Sequence, residues 1–298
     1  QTGNPRRLTI THTIETPAVE AVETALHHIL APYRVSGEWM QFDEAGLDNA
    51  ISQASKLSKE IAANVHFFDQ AKELKTKISN GQFIPATDEA KALYQTVQEC
   101  DVIIKACDEV LDQYEGLLIE AVKSGKDVSD RVTIQTRKGA IKFDEKKFAQ
   151  MYPEIYKEFT STITEIKGTF RYATSKEDVK TLAEIDPQIS EFIAEYKELM
   201  EIDVVDEELE FIFHDKSLQV KAFKKFAEWK QDIADAKLRS LTGLNDGIEG
   251  ICTWKRVEST KTTFDKEGAK ASYLQEYHSC EYQAADTEAV IIEGKAGY

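Results

Sequence analysis

The sequence of 298 residues predicts a mostly helical α+β fold. Three observations support this prediction: long charged stretches carry apolar residues at helical spacing, alternating stretches typical of strands follow them, and one order of elements recurs along the chain. We expect a truncated α/β half-domain at 1–43, a long antiparallel helical hairpin with a first β-hairpin/helix module at 44–175, and long helices with a second such module at 176–298.

The first segment contains one predicted helix at 17–30. Its apolar residues have helical spacing; they are Val19, Val22, Leu26 and Ile29. Glu23 and His27 stand four positions apart on the same helix. Because such pairs are common on solvated helix faces and contribute little there, this pair does not define a site by itself.

The residues around this helix form a recognisable pattern. The motif Gln1-Thr-Gly-Asn-Pro5 precedes Arg6 and Arg7, and Arg34 precedes Gly37-Glu38-Trp39. Together with Glu23 and His27, these residues resemble the C-terminal half of a phage-type GIY-YIG nuclease superfamily domain, described as DNA-binding, over about a seventh of the chain. In that superfamily the strands that carry the two tyrosines precede the matching segment.

The resemblance implies roles for particular residues. Arg7 would be the catalytic arginine, with Arg6 as the alternative, and Glu23 would be the ligand of one divalent metal ion, Mg²⁺ or Mn²⁺. His27 would join them as a catalytic residue, and Arg6 and Arg34 would contact DNA phosphates. Pairing of these arginines with nearby carboxylates is the competing interpretation.

The chain opens at Gln1 without a methionine, and we expect it to begin in mid-domain. A single carboxylate does not make a working Mg²⁺ site, since the ion needs an octahedral shell, positioned water and substrate phosphate. We therefore expect this chain as given to lack strong nuclease activity.

Charge and composition restrict the partners. A net charge of −16 argues against broad DNA binding, which depends on neutralising phosphates, so DNA contacts are expected to be local. Four lysines of a later helix are interleaved with carboxylates and predict a solvated face; they are Lys221, Lys224, Lys225 and Lys230. No apolar run is long enough to span a membrane.

The four cysteines have no zinc-site spacing. Cys100 and Cys107 lie seven apart on one predicted helix face, which favours small buried thiols. We expect a cytoplasmic protein of a bacterial or phage-infected cell.

Two apolar stripes follow Phe42, and Gly81 and Pro85 separate them. The first stripe consists of Leu47, Ile51, Leu57, Ile61, Val65 and Phe68, and the second of Ala90, Leu93, Val97, Ile104, Leu111 and Leu118. The stripes predict two long helices that pack as an antiparallel hairpin. Such a seam also predicts a homo-oligomer or a protein partner.

The pattern becomes alternating after Gly125. Val132–Arg137 and residues 140–143 flank Lys138 and Gly139, which predicts a β-hairpin. A short helix at 144–159 follows, with Asp144 as its N-cap and Pro153 at the start of a second helical piece. Residues 168–172 read as another strand.

The same order returns 121 positions later. Without gaps, Phe143-Asp144 corresponds to Phe264-Asp265, Tyr152 to Tyr273 and Tyr156 to Tyr277. A long helix at 207–241 and a strand at 250–257 precede the second copy, and an apolar stretch at 289–293 follows it. This order predicts a duplicated unit.

Each copy also keeps part of a second pattern. Thr253-Trp254-Lys255 and Phe264-Asp265 stand in the second copy, and Phe143-Asp144 with Pro153-Glu154-Ile155-Tyr156 in the first. They resemble the accessory segment that follows the nuclease core in YqaJ-type viral recombinase exonucleases of phages. The resemblance implies an accessory module, because the acidic catalytic core of those exonucleases is not recognisable in the sequence.

Trp254 and Lys255 have two interpretations. An aromatic ring beside basic residues can stack on a nucleobase, which would make Trp254 and Lys255 DNA-binding residues. A lone tryptophan in an alternating strand more often faces the core. Asp144 and Asp265 are expected to act as helix caps rather than as ligands.

Two functions remain. In the first, the chain is the C-terminal part of a phage or prophage DNA-processing protein, whose GIY-YIG-like domain cuts DNA with Glu23 and Arg7. In the second, it is a non-catalytic DNA-associated scaffold or protein-interaction protein whose long helices form the interface.

Overall fold

The computed structural model describes residues 10–16, 19–30, 33–36, 39–125, 132–173, 180–201 and 207–292. The helices are α1 Val19–Ile29, α2 Glu44–Lys75, α3 Asp88–Lys123, α4 Glu145–Met151, α5 Pro153–Glu158, α6 Leu182–Ile185, α7 Pro187–Met200, α8 Glu207–Thr242, α9 Lys266–Ser272 and α10 Leu274–Ser279. The strands are β1 Arg34–Ser36, β2 Trp39–Met40, β3 Phe83–Ile84, β4 Val132–Arg137, β5 Ile141–Phe143, β6 Thr160–Lys167, β7 Arg171–Tyr172, β8 Gly247–Ile248, β9 Cys252–Thr253, β10 Val257–Phe264, β11 Glu281–Gln283 and β12 Thr287–Ile292. The prediction of a mostly helical α+β fold is confirmed.

The predicted N-terminal helix is present as α1. Val22 and Ala25 are buried on it, and the helix contacts both α2 and α8. The antiparallel pair of β1 and β2 follows. In this structure α1 therefore lies on the same helical core as the later segments, and the predicted domain boundaries stay a prediction.

The long helices α2 and α3 begin where capping side chains satisfy free backbone amides. The Asp43 carboxylate accepts a hydrogen bond from the amide of Gly46, and the Thr87 hydroxyl accepts one from the amide of Ala90. Both helices match the predicted stretches. Their predicted packing as one hairpin was wrong, because each of them packs against α8 instead.

The direction of packing follows from paired side chains. Gln231 of α8 donates to Asp101 of α3 at 2.7 Å, and Lys224 lies 2.6 Å from Asp108. As the numbers rise along α3 they fall along α8, so these two helices are antiparallel. The apolar face of α3 is covered by α8 and is therefore not available to α2.

Two apolar clusters hold the long helices together. One cluster joins the C-terminal part of α3 to α7 and α8 through Cys107, Val110, Tyr114, Leu118, Ile189, Ile193, Tyr196, Met200 and Val220. The other joins the start of α3, the end of α8 and a small sheet through Ala90, Val97, Ala234, Leu238, Ile248, Ile251 and Cys252. That sheet has the strand order β3-β8-β9-β7.

The predicted hairpin of β4 and β5 was wrong. The strands exist, but β4 pairs antiparallel with β12 and β5 pairs with β11. Gly139 lies against the segment between β11 and β12, where an added Cβ would clash with the carbonyl oxygen of Ala284. Strands β4 and β5 therefore form one side of a long two-stranded ribbon, and β12 and β11 form the other side. Residues 138–140 interrupt the first side without reversing the direction of the chain.

A second ribbon has the same construction. Strand β6 pairs with β10 over eight positions, from Thr160 opposite Phe264 to Lys167 opposite Val257, and β7 continues the ladder against β9. The two ribbons share one antiparallel register, because the two residue numbers of every pair have the same sum in both. Among the helices that the structure describes, none is long and apolar enough to cross a membrane.

Candidate functional site

The residues of the nuclease-like pattern are only partly described. Glu23 is exposed on α1, and His27 one turn later is half-buried. Arg6 and Arg7 lie outside the described residues, as does the side chain of Arg34, whose backbone opens β1. Within the described part of the chain, no group of three or more His, Cys, Asp or Glu side chains is placed to hold a metal ion.

Trp254, which the sequence offered as a base-stacking residue, has no exposed surface. Its ring packs edge-on against Phe170 with 5.7 Å between centroids, and the Arg256 guanidinium lies 4.0 Å from its centroid. A nucleobase cannot reach a ring covered in this way. The core interpretation of Trp254 fits the structure, while its neighbour Lys255 is exposed.

Arg256 is a buried charged residue whose position the sequence did not predict. Its side chain is fully buried, and Nη1 donates to the carbonyl oxygen of Leu74 at 2.9 Å. Nη2 donates to the carbonyl oxygens of Gly243 at 2.6 Å and Asn245 at 3.3 Å. These carbonyls lie at the C-terminal ends of α2 and α8, where the helix dipole favours a positive charge.

The electrostatics of this cluster are consistent with a structural role. Burial lowers the pKa of the Arg256 guanidinium, and the charge of Asp246 opposes that effect. Arginine nevertheless stays protonated in proteins. A buried charge held by carbonyl oxygens and stacked on an aromatic ring joins two helix ends, and it leaves no face open to a ligand.

A loop contact completes the cluster. The hydroxyl of Ser79 donates to the carboxylate of Asp246 and accepts a hydrogen bond from the amide of Arg256 at 2.9 Å. The amide of Gly81 also donates to Asp246, at 3.2 Å. The segment between α2 and α3 is thereby fastened to the segment that follows α8.

A second, half-buried polar group lies nearby. The Asp235 carboxylate accepts hydrogen bonds from the hydroxyl of Tyr172 at 2.6 Å and from Nε of Arg239 at 2.5 Å. Burial and then the hydrogen bond to Asp235 raise the pKa of Tyr172 far above its ordinary value. This phenol therefore stays a hydrogen-bond donor and does not act as a base.

The short helices between the ribbons enclose an aromatic core. Phe148 and Tyr277 are buried in it together with Cys280. The Phe143 ring stacks on Tyr277 with 4.0 Å between centroids, and the Phe264 ring stacks on Tyr156 at 4.7 Å. The tyrosines that the sequence singled out are therefore packing residues.

Asp144 and Asp265 act as helix caps, as predicted. Asp144 accepts a hydrogen bond from the amide of Lys147 at 2.9 Å, and Asp265 accepts one from the amide of Gly268 at 3.0 Å. A carboxylate oxygen used in this way satisfies a free amide at the start of a helix. Neither residue needs a metal to explain its position.

The cysteines are buried thiols, as predicted for Cys100 and Cys107. Burial raises the pKa of Cys100 to about 11 and that of Cys107 to about 12. Since the thiolate is the reactive form, these thiols are poor nucleophiles. Cys252 and Cys280 are also buried.

No protein-family model, curated protein or solved structure matches this chain. The likeness to the GIY-YIG superfamily and to the YqaJ-type accessory segment therefore rests on the quoted motifs. Both stay predictions.

Proposed function

We propose that this chain serves a phage or prophage DNA-processing protein as a non-catalytic accessory scaffold. One observation carries the proposal: the polar side chains at the helix ends and around the ribbons are occupied in structural contacts. Arg256 caps two helix ends, Asp144 and Asp265 cap α4 and α9, and Asp235 binds Tyr172.

The scaffold consists of a helical unit and a ribbon unit. Packing of α3 along α8, with α7 and α2 beside them, makes the helical unit. We infer that the ribbon unit arose by duplication, because its two copies of the Phe-Asp motif occupy matching positions in the ribbons. This interpretation agrees with the resemblance to the YqaJ-type accessory segment.

DNA is the partner that the N-terminal pattern favours. Arg6, Arg7 and Arg34 would supply local phosphate contacts, while the net charge of −16 disfavours contacts elsewhere. We place any protein partner on the long helices, whose outer faces are charged and solvated.

A second candidate is a metal-dependent endonuclease of the GIY-YIG type. The observation that favours it is the exposure of Glu23 on α1, one helical turn before His27. An exposed carboxylate can bind a divalent ion together with substrate phosphate and water. In this candidate, Mg²⁺ or Mn²⁺ would be the cofactor, with Arg7 or Arg6 beside it.

One experiment separates the two candidates. The purified chain is incubated with duplex DNA and Mg²⁺ or Mn²⁺, and both DNA binding and strand cleavage are measured. We expect binding that weakens steeply as salt is raised, without cleavage. An Arg6→Ala/Arg7→Ala variant should bind more weakly. If the unchanged chain does not bind DNA, the proposed DNA association is wrong.

Cleavage would be interpreted with two matched variants. Glu23→Ala removes the proposed ligand, and Glu191→Ala removes an exposed carboxylate of α7. Metal-dependent cleavage that Glu23→Ala abolishes and Glu191→Ala preserves would establish the nuclease and overturn the scaffold.

A further inference from the structure

We infer that residues 141–167 and 257–283 form a strand-exchanged dimer fused into one chain. Each of these two half-units consists of a strand, two short helices and a second strand: β5-α4-α5-β6 in one and β10-α9-α10-β11 in the other. The inference rests on the duplication proposed above and adds how the copies recognise each other.

The strands show the exchange directly. Within the first half-unit β5 and β6 do not pair with each other, since β5 pairs with β11 and β6 pairs with β10. Each ribbon therefore pairs the first strand of one half-unit with the second strand of the other, which gives β5 with β11 and β10 with β6. A half-unit alone would have no partner for either strand, so it requires a second half-unit to complete its fold.

The contacts between the half-units are reciprocal. The amide of Asp144 donates to the carbonyl oxygen of Cys280 at 2.9 Å, and the amide of Asp265 donates to that of Phe159 at 2.8 Å. These two bonds interchange when each residue is replaced by its counterpart 121 positions away. The residue pairs are thus related by a local twofold axis, as in a symmetric dimer interface.

The tyrosines repeat the same relationship. The hydroxyl of Tyr152 lies 3.1 Å from the hydroxyl of Ser279, and the hydroxyl of Tyr273 donates to the carboxylate of Glu158 at 3.2 Å. Ser279 and Glu158 are counterparts. Stacking of Phe143 on Tyr277 is likewise mirrored by stacking of Phe264 on Tyr156.

Among the counterpart pairs that differ, two suit a pairing of unlike halves. Glu145 and Lys266 are counterparts, and their charged groups lie 3.2 Å apart. Identical halves would place like charges there. Phe148 and Ala269 are also counterparts, and both are fully buried. We infer that these differences direct each half-unit to the other half of its own chain and away from the same half of a second copy.

The environment of Phe148 makes a specific test available. Its ring lies 5.3 to 5.6 Å from the rings of Phe143, Tyr152 and Phe264, and 6.3 Å from that of Tyr277. The counterparts of these four residues are Phe264, Tyr273, Phe143 and Tyr156, which are all aromatic. A phenylalanine moved to position 269 would find an equivalent set of rings.

The test compares Phe148→Ala, Ala269→Phe and the double variant of the full chain by thermal unfolding. Phe148→Ala should lower the melting temperature by about 5–10 °C, because it leaves a cavity. The double variant should recover at least half of that loss. A double variant no more stable than Phe148→Ala would overturn the inference.

A second measurement stands if the Phe148 variants do not fold. Double-mutant cycles with leucine at Phe143 and Tyr277, and at Phe264 and Tyr156, measure the coupling within each stack. The inference requires similar coupling in both stacks, and coupling in only one would refute it. These results are independent of DNA binding and cleavage, so the function proposed above can fail separately.

Discussion

The buried guanidinium of Arg256 donates a hydrogen bond to the carbonyl oxygen of Leu74, which precedes it by 182 residues. The same guanidinium binds two carbonyls just after α8. One side chain therefore fastens the C-terminal ends of two long helices at the entry to a ribbon.

Replacing Arg256 by leucine should lower the free energy of unfolding by about 3 kcal/mol or more, because three carbonyl oxygens at the ends of α2 and α8 lose a charged donor. Urea denaturation followed by circular dichroism measures the change. Arg171→Leu is the matched control, since Arg171 is exposed on β7. Equal stability of both variants would show that the Arg256 contacts contribute nothing.

Gly168→Ala should destabilise the protein by about 1–3 kcal/mol. A Cβ at this position would lie 2.5 Å from Cγ of Arg256 and 2.6 Å from the carbonyl oxygen of Lys255. Gly116→Ala, in α3 with open space around it, should instead stabilise by about 0.5–1 kcal/mol. Thermal unfolding of the two variants must show shifts of opposite sign, and shifts of the same sign would contradict this packing.

Asp144→Ala and Asp265→Ala should each cost about 1 kcal/mol, because both carboxylates cap a helix through one backbone amide. The Asn variants keep an oxygen at the same place and should retain most of the stability. Chemical denaturation at neutral pH checks the series. A large cost of Asp144→Asn would indicate a role beyond capping.

Stability should fall as the pH rises above about 9, partly through Cys107. Burial raises the pKa of this thiol from its ordinary value of 9.0 to about 12. Between these values the unfolded chain loses the proton that the folded chain keeps, so unfolding becomes easier. Denaturation midpoints across this range should decline less in Cys107→Ala than in the parent chain. An identical decline would exclude the contribution.

Mg²⁺ or Mn²⁺ should leave the melting temperature of the chain unchanged in the absence of DNA. A ligand stabilises a protein only when it binds the folded state, and Glu23 is the one proposed ligand on α1. Differential scanning fluorimetry with and without EDTA measures this. A metal-dependent increase that disappears in Glu23→Ala would identify Glu23 as a ligand after all.

Periodicity in the sequence predicted the long helices well, because an apolar stripe requires a partner surface whatever that partner is. It did not predict which surface. On α2 the predicted stripe included Leu47 and Phe68, which are 40% exposed, while Ala50 and Ala54 are buried. Small residues mark close helix contacts, and hydrophobicity alone undervalues them.

Strand pairing was predicted poorly for a different reason. The turn signal at Gly139 was interpreted locally, whereas this glycine permits a close approach of the segment between β11 and β12. Strand β6 was missed, although Thr162 and Thr164 alternate with other residues in the way typical of strands. Its partner lies far away in the sequence, and short-range patterns do not reveal such pairing.

The DNA-binding residues Trp254 and Lys255 were predicted from their residue types alone. The burial of Trp254 excludes its ring from contact with DNA. The sequence Trp254-Lys255-Arg256 resembles a nucleic-acid contact, yet only Lys255 of the three is exposed. Arg256 could not be identified as a core residue because its partners Leu74 and Gly243 come from two distant helix ends. Tertiary structure alone brings those carbonyls together.

The long-range pairing of the ribbons has a consequence for the order in which the protein folds. Strand β4 pairs with β12, so its partner is synthesised only near the end of the described residues. The pairing of β4 with β12, like the packing of α2 and α3 on α8, must wait for a large loop to close, which slows folding. Until then β4 and β5 offer unpaired edges, which attract other chains. A ribosome that stalls before β11 would therefore release a product with a tendency to aggregate.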